Sequence, residues 1–310
     1  MENNAEKKTE ERKIVLKKDL IACFKELGLE KGDNVIVHTS LKSFGFVCGG
    51  PQIVIEALLE TVGEDGTVMM PTQTWKNLDP TAGVHWEEPK EWWDLIRQNL
   101  PAYDKRITPT NTMGAVAEMF RSWPGAHRSD HPARSFAAVG KNAEYLVKDH
   151  DLSDIFGETS PLAKLYALGG KVLLLGCGYD KNTSIHLADV RAEYPGKHNG
   201  KESSAMLVNG KREWVTYETL VVDGEDFEEI GEAFEKKYPD ENSASGSGDK
   251  TARSHENYTS GSGNLPSGPN DTPLSPAIFR SAKIGNAVAK CMSQKAIVDF
   301  AVSWIEENRK

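Results

Sequence analysis

Cysteine is scarce in this chain of 310 residues. Four occur, at positions 23, 48, 177 and 291, and no two form a Cys-x-x-Cys pair. That spacing argues against a zinc site, and no metal is expected. Cys23 and Cys291 fall in apolar-rich patterns and read as buried, reduced thiols. Long apolar runs are also missing: none approaches the roughly 18 residues that a membrane-spanning helix needs. The opening "MENNAEKKTEERK" lacks the apolar core of a secretory signal, so a cytoplasmic location and no membrane partner are expected. Positive charge is in deficit, with 37 Lys and Arg against 46 Asp and Glu, a net charge of −9. A general nucleic-acid binder would show a basic surface, so no nucleic-acid partner is expected. The balance suits a cationic substrate, and equally an ordinary acidic surface. Neither G-x-x-x-x-G-K-[ST] nor G-x-G-x-x-G occurs as a phosphate-binding fingerprint, and there is no internal repeat.

What is present is α/β patterning. In "KKDLIACFKELGLEKGD", Leu20, Phe24 and Leu27 share one helical face and Gly28 supplies a stop. A short apolar strand, "NVIVHTS" (34–40), leads through a loop (41–50) to a helix with Pro51 in its first turn, then to the strand "GTVMMPT" (66–72). Such β-loop-α-β units build parallel sheets. Helices are expected from Pro89 and across 112–123, with a strand at 135–140. "SPLAKLYALGG" (160–170) reads as a helix with a serine cap, and "KVLLLG" (171–176) as a buried strand. Further helices are expected over 183–194, "DFEEIGEAFEKKY" and "SQKAIVDFAVSWIEENR". "REWVTYETLVV" is a strand pair or one bent strand. Residues 1–13 read as a solvated tail, and 14–310 as a single domain. Within it, 239–277 contains eight Ser, five Gly and five Pro, with Leu265 and Leu274 as its only larger aliphatics. Such a segment buries too little apolar surface to offset its ordering entropy, so it is expected to be a flexible insertion, or a specificity loop.

Four stretches carry candidate chemistry. The loop "HTSLKSFGFVCGGPQ" ends at a helix N-terminus, where backbone amides bind anions. A nucleotide or coenzyme A suits it, although the same glycines would serve a tight connection. In "TSIHLADVRAEY", His186 lies in the first turns of a helix and Asp189 follows at i+3, where it could orient a base. A capping histidine beside solvated acids has the same spacing. Glu118 sits among apolar neighbours in "MGAVAEMFR"; it could orient a histidine or hold an ammonium group, or simply pair with Arg121 at i+3. His131, before Pro132, is in an extended or turn conformation and is either a ligand contact or satisfied by backbone. Cys177, nine residues before His186, raises the alternative of a cysteine-dependent acyl hydrolase with ping-pong kinetics.

Taken together, "VIVHTSLKSFGFVCGGPQIVIEALLETVGEDGTVMMPT", "TMGAVAEMFR", "RSDHPARSFAAVG", "SPLAKLYALGGKVLLLGCGYDKNTSIHLADVRAEY" and "KIGNAVAKCMSQKAIVDFAVSWIEENR" resemble, in order, the signatures of the aminoglycoside 3-N-acetyltransferase family. The resemblance implies an α/β sandwich around a central mixed sheet, distinct from the small general N-acetyltransferase fold. It implies acetyl transfer from acetyl-coenzyme A, as co-substrate, to the 3-amino group of a deoxystreptamine aminoglycoside, giving antibiotic resistance. A homodimer is compatible with it. The family histidine falls on His186 and its helical glutamate on Glu118, with Asp189 the other carboxylate. The coenzyme is expected along His38, Ser40, Leu41, Lys42, Ser43, Gly49, Gly50 and Thr72. Asp189 stands where the family pattern has glutamate and Cys177 where relatives often carry valine, which speaks against an obligatory nucleophile. A different acceptor amine, or a silent binding protein whose insertion meets a partner, are the other readings.

Overall fold

The computed structural model describes residues 13–82, 86–244 and 278–310. The expected tail up to residue 12 and most of the expected insertion, 245–277, lie outside the described residues. In chain order the elements are Ile14–Val15 (β1), Lys17–Glu26 (α1), Asn34–Thr39 (β2), Phe46–Val47 (β3), Gly50–Val62 (α2), Thr67–Pro71 (β4), Trp93–Asn99 (α3) and Gly114–Phe120 (α4). Then come His127–Arg128 (β5), Phe136–Gly140 (β6), Ala143–Val147 (α5), Pro161–Ala167 (α6), Lys171–Leu175 (β7), Ile185–Arg191 (α7), Asn199–Val208 (β8) and Lys211–Leu220 (β9). Phe227–Lys237 (α8), Glu241–Ala244 (α9), Phe279–Ile284 (β10), Ala287–Ser293 (β11) and Gln294–Asn308 (α10) complete the chain.

The central sheet has seven strands in the order β10-β11-β7-β2-β4-β6-β5. β7, β2 and β4 run parallel at its centre, and the flanking strands are antiparallel. Side chains alternate between faces along each strand. Val35, Val37, Val68, Met70, Leu173 and Leu175 pack with α1, α2 and α4, while Ile36, Met69, Val172 and Leu174 pack with α5, α6, α7, α8 and α10. Two cores therefore sandwich the sheet, and burying each large aliphatic side chain contributes about 1.5–3 kcal/mol. By the same alternation His38 shares the face of Ile36, on which α7 lies.

The structure departs from the sequence reading in several elements. The loop at 41–50 holds a 3-10 turn, Leu41–Phe44, and β3, which pairs with β1 in a small parallel ribbon. "REWVTYETLVV" contributes one strand, β9, whose antiparallel partner β8 the periodicity did not reveal. The turn between them, Asn209-Gly210, has φ of 51° and 77°, the left-handed pair that twists a two-residue hairpin correctly. Ser160 does not cap α6; its hydroxyl donates to the Gly157 carbonyl at 2.6 Å. Asp240 and α9, inside the segment expected to be flexible, are hydrogen-bonded to the edge strand β10. The Ser281 amide and hydroxyl donate to the Asp240 carboxylate, and the Asn242 side chain donates to the Ser281 carbonyl.

Candidate active site

The parallel strands β2, β4 and β7 end on one edge of the sheet, where α/β folds bind ligands. The loops after β2 and β7 touch there. The Ser40 amide donates to the Leu175 carbonyl at 2.9 Å, and the Cys177 thiol donates to the His38 carbonyl at 3.5 Å. Gly176 has φ of 68°, and a Cβ there would stand 1.9 Å from the Ser43 hydroxyl oxygen, so only glycine lets the two loops meet. A 3-10 turn at Tyr179–Lys181 then carries the chain into α7 and presents His186.

His186 is clamped rather than free. Its ring stacks on Phe156 at 4.6 Å between centroids and 6° between planes, and Phe227 from α8 lies 4.7 Å away on a tilt. One helical turn on, the Asp189 carboxylate accepts from His186 Nδ1 at 2.8 Å. Asp189 is fully buried, and its other oxygen accepts from Arg309 at 2.7 Å. Arg309 in turn grips Asp226, the residue before α8, through two hydrogen bonds of 2.7 and 2.8 Å, and lies over the Tyr194 ring at 4.9 Å. Burial disfavours the Arg309 cation, but the Asp226 and Asp189 carboxylates outweigh that and hold it above its ordinary value. A carboxylate oxygen accepts, so in the neutral ring the tautomer that fits this contact has the hydrogen on Nδ1 and the lone pair on Nε2. The ring is 18% exposed, enough for that edge to meet a ligand.

Glu118 lies elsewhere. It belongs to α4, which packs on the opposite face of the sheet with Val116 and Phe120. Burial raises its pKa, but bonds from Arg121 and from the amide and hydroxyl of Thr110 more than offset this, so it is held below the usual carboxylate range. The structure does not bring it to His186; the acid that touches the imidazole is Asp189. His131 is fully buried, its Nδ1 accepting from the Ala133 and Arg134 amides, with its ring against His150 and Tyr217. Backbone amides satisfy its Nδ1. Cys177 is half-buried, and burial pushes its thiol up to about 12; its hydrogen bond goes to the His38 carbonyl and not to His186. That is the setting of an inert thiol rather than a nucleophile.

The coenzyme candidates divide. Lys42 and Gly49 are exposed, Ser40 and Gly50 partly so, and the two glycines open α2. Leu41 is packed against the core beside α2, and the Ser43 hydroxyl donates to the Ser40 carbonyl at 2.7 Å. His38 is buried, and desolvation lowers it to about 3, so it is neutral. Thr72 is fully buried, its oxygens taken by Arg128 and Ser135. Among the described residues no group of three or more His, Cys, Asp and Glu is placed to hold a metal ion, and no helix is long and apolar enough to cross a membrane. Sequence reasoning missed Arg309, Asp226, Phe156 and Phe227. Arg309 and Asp189 are 120 residues apart, and no local pattern joins them.

The mixed seven-stranded sheet with helices on both faces defines an α/β architecture unlike the small general N-acetyltransferase fold. The model of the family aminoglycoside 3-N-acetyltransferase matches residues 36–259, and the chain belongs to that family. It is similar to the SPbeta prophage-derived aminoglycoside N(3')-acetyltransferase-like protein YokD of Bacillus subtilis, with 43% identity over 72% of this chain and 81% of that one. Aminoglycoside N(3)-acetyltransferase VII of Streptomyces paromomycinus is 36% identical over 94% of this chain and 90% of its own. The crystal structure of YokD superposes with a TM-score of 0.77 at 36% identity, covering 94% and 93% of the two chains. Structures of AAC-IIIb with CoASH and of AAC-VIa with sisomicin superpose at 0.73 and 0.74, both at 28% identity, over 96% of this chain and 98% and 99% of theirs.

Proposed function

We propose that this chain transfers an acetyl group from acetyl-coenzyme A to the 3-amino group of a deoxystreptamine aminoglycoside, by direct attack within a ternary complex, and so confers resistance. The observation that carries the reading is the anchored imidazole: His186 Nδ1 is held by buried Asp189 while Nε2 keeps its lone pair at the edge of the site. A protonated amine cannot attack a thioester, so the acceptor amine reacts as its free base, its ammonium proton having gone to solvent. His186 Nε2 takes a proton from the amine as nitrogen bonds to the thioester carbon. The oxyanion then collapses, the carbon–sulfur bond breaks, and the imidazolium returns the proton to the departing sulfur. Asp189 keeps the tautomer and stabilises the imidazolium, as the acid of a catalytic triad does. A base so placed contributes roughly 10²–10⁴-fold.

Exposed Lys42, partly exposed Ser40 and the glycine-opened N-terminus of α2 suit the coenzyme's phosphates, beside the loop that leads to His186. Coenzyme A-dependent chemistry belongs in the cytoplasm, and the net charge of −9 suits a polycationic acceptor. The test follows thiol release from acetyl-coenzyme A with a panel of aminoglycosides, one of them blocked at its 3-amino group. Release that requires an open 3-amino group, and that falls 10²–10⁴-fold in His186→Gln with coenzyme binding retained, is the expected result. Release unaffected by His186→Gln would remove the base assignment. Coenzyme binding without release from any aminoglycoside would mean a different acceptor amine.

A further inference from the structure

The buried groups behind His186 do not stop at Asp189. Asp189 Oδ2 faces His186, Oδ1 faces Arg309, and the far side of the Arg309 guanidinium faces both oxygens of Asp226. Four side chains from three separate regions, α7, the start of α8 and the residue after α10, thus form one chain of charge-assisted hydrogen bonds. With a neutral imidazole the chain holds one cation and two anions, a net of −1; with an imidazolium it is neutral. The accessible end is the ring of His186, and Arg309, in the middle, meets that ring only through Asp189.

From this connectivity we infer that Arg309 is a positioning residue for the reaction, setting through Asp189 how readily His186 accepts a proton, with Asp226 as its counterweight. The inference rests on His186 as base and says what tunes it. Arg309 offsets the charge of Asp189, which weakens the stabilisation that Asp189 gives an imidazolium. Asp226 offsets Arg309 in turn, so the cation does not cancel Asp189 altogether. The other charged groups nearby are already engaged. Arg191 on α7 pairs with Glu158, and Lys197 sits on the Val190 and Ala192 carbonyls with Glu193 beside it. Tyr194 lies under Arg309, and His38 on the same face of the sheet is neutral. On Phe156 and Phe227, the rings against His186, there is no charge.

The experiment is an NMR titration of the His186 imidazole in the full chain, paired with kcat/KM against pH for acetylation of one aminoglycoside with a free 3-amino group. The NMR arm needs no turnover, so it reads the inference even if the proposed reaction fails. The ionisation of the drug amine is common to all profiles and cancels between variants. Arg309→Met is expected to raise the His186 midpoint by about one pH unit, and with it the acid limb of kcat/KM. Asp226→Asn is expected to lower both. Arg309→Lys keeps the charge without the two-sided grip; it should leave the midpoint near the wild type while kcat falls severalfold. A merely structural arginine would change the melting temperature and leave the midpoints where they were. Midpoints within about 0.2 pH unit of wild type in folded Asp226→Asn and Arg309→Met would overturn the inference. Should Arg309→Met not fold, Asp226→Asn decides: a lowered midpoint supports the inference and one within about 0.2 pH unit of wild type overturns it.

Discussion

Gly231 lies in the middle of α8, where glycine is ordinarily a liability. The reason is Tyr179, which is 1% exposed and lies flat against the helix. A Cβ built on Gly231 would stand 2.0 Å from two atoms of the Tyr179 ring and 2.7 Å from the Tyr179 Cβ. Ordinary contact begins near 3.4 Å, so the ring would have to retreat by more than an ångström. It has nowhere to go: Lys290 covers it at 4.8 Å from the ring centroid, and the 3-10 turn that contains it is followed directly by α7. Overpacking of this kind costs about 1–3 kcal/mol and sometimes more. Alanine regains up to about 1 kcal/mol of helix propensity. The clash wins, and Gly231→Ala should destabilise by about 2 kcal/mol, lowering Tm by roughly 3 °C in a chain of this size. Because Tyr179 leads into the turn that presents His186, kcat should fall more than coenzyme affinity does. Calorimetry on the wild type, Gly231→Ala, Tyr179→Leu and the double variant closes the cycle, in which the smaller side chain should recover part of the loss. An unchanged or raised Tm in Gly231→Ala, or strict additivity in the cycle, would refute the packing argument.

Other expectations are open to equally direct tests. Arg134 and Glu202 form a nearly buried ion pair at 2.6 Å, with side chains 6% and 17% exposed, and Arg134 stacks over Trp75 at 4.0 Å. Glu202→Ala leaves a buried cation and should cost about 3–5 kcal/mol by urea unfolding; a loss below 1 kcal/mol would contradict this. Burial lowers His150 to about 4 and His38 to about 3, and holds His131 well below its ordinary value. The unfolded chain therefore binds protons below about pH 6.5 that the folded chain refuses, and stability is lost as pH falls from 6.5 towards 4. His150 alone should cost about 2 kcal/mol at pH 5; a urea midpoint constant between pH 7 and pH 5 would be inconsistent with neutral buried imidazoles. With its thiol near 12, Cys177 has about one part in 10⁴ as thiolate at pH 8, so Cys177→Val and iodoacetamide treatment should both leave turnover close to wild type. An acetyl-thioester trapped on Cys177 would reverse that reading.

The sequence made the β2–α2–β4 unit legible, because strand alternation, a first-turn proline and the following apolar run are all local signals. The i+3 spacing of His186 and Asp189 was equally local, and so was that of Glu118 and Arg121. Spacing could not separate the two pairs, because both are helical neighbours; the fold sets them apart, with α4 and α7 on opposite faces of the sheet. Strand β8 was hidden by its Lys, Glu and Ser residues, which give weak alternation, although Asn209-Gly210 marked the hairpin. Arg309 and Asp226 were out of reach for a different reason. Their partnership with Asp189 is made by the packing of α10 on α7 and α8, and no window of sequence contains it.

The edge strand β10 shows what the short stretch before it achieves. A strand at the rim of a sheet normally offers a row of free amides and carbonyls to any other chain, and is a template for aggregation. Here the Ser281 amide and carbonyl are already bonded to side chains of Asp240 and Asn242, and the Ile278 amide to Glu241. Three polar residues thus stand in for an eighth strand without offering an edge of their own, and a sheet that could otherwise grow by accretion ends where it does.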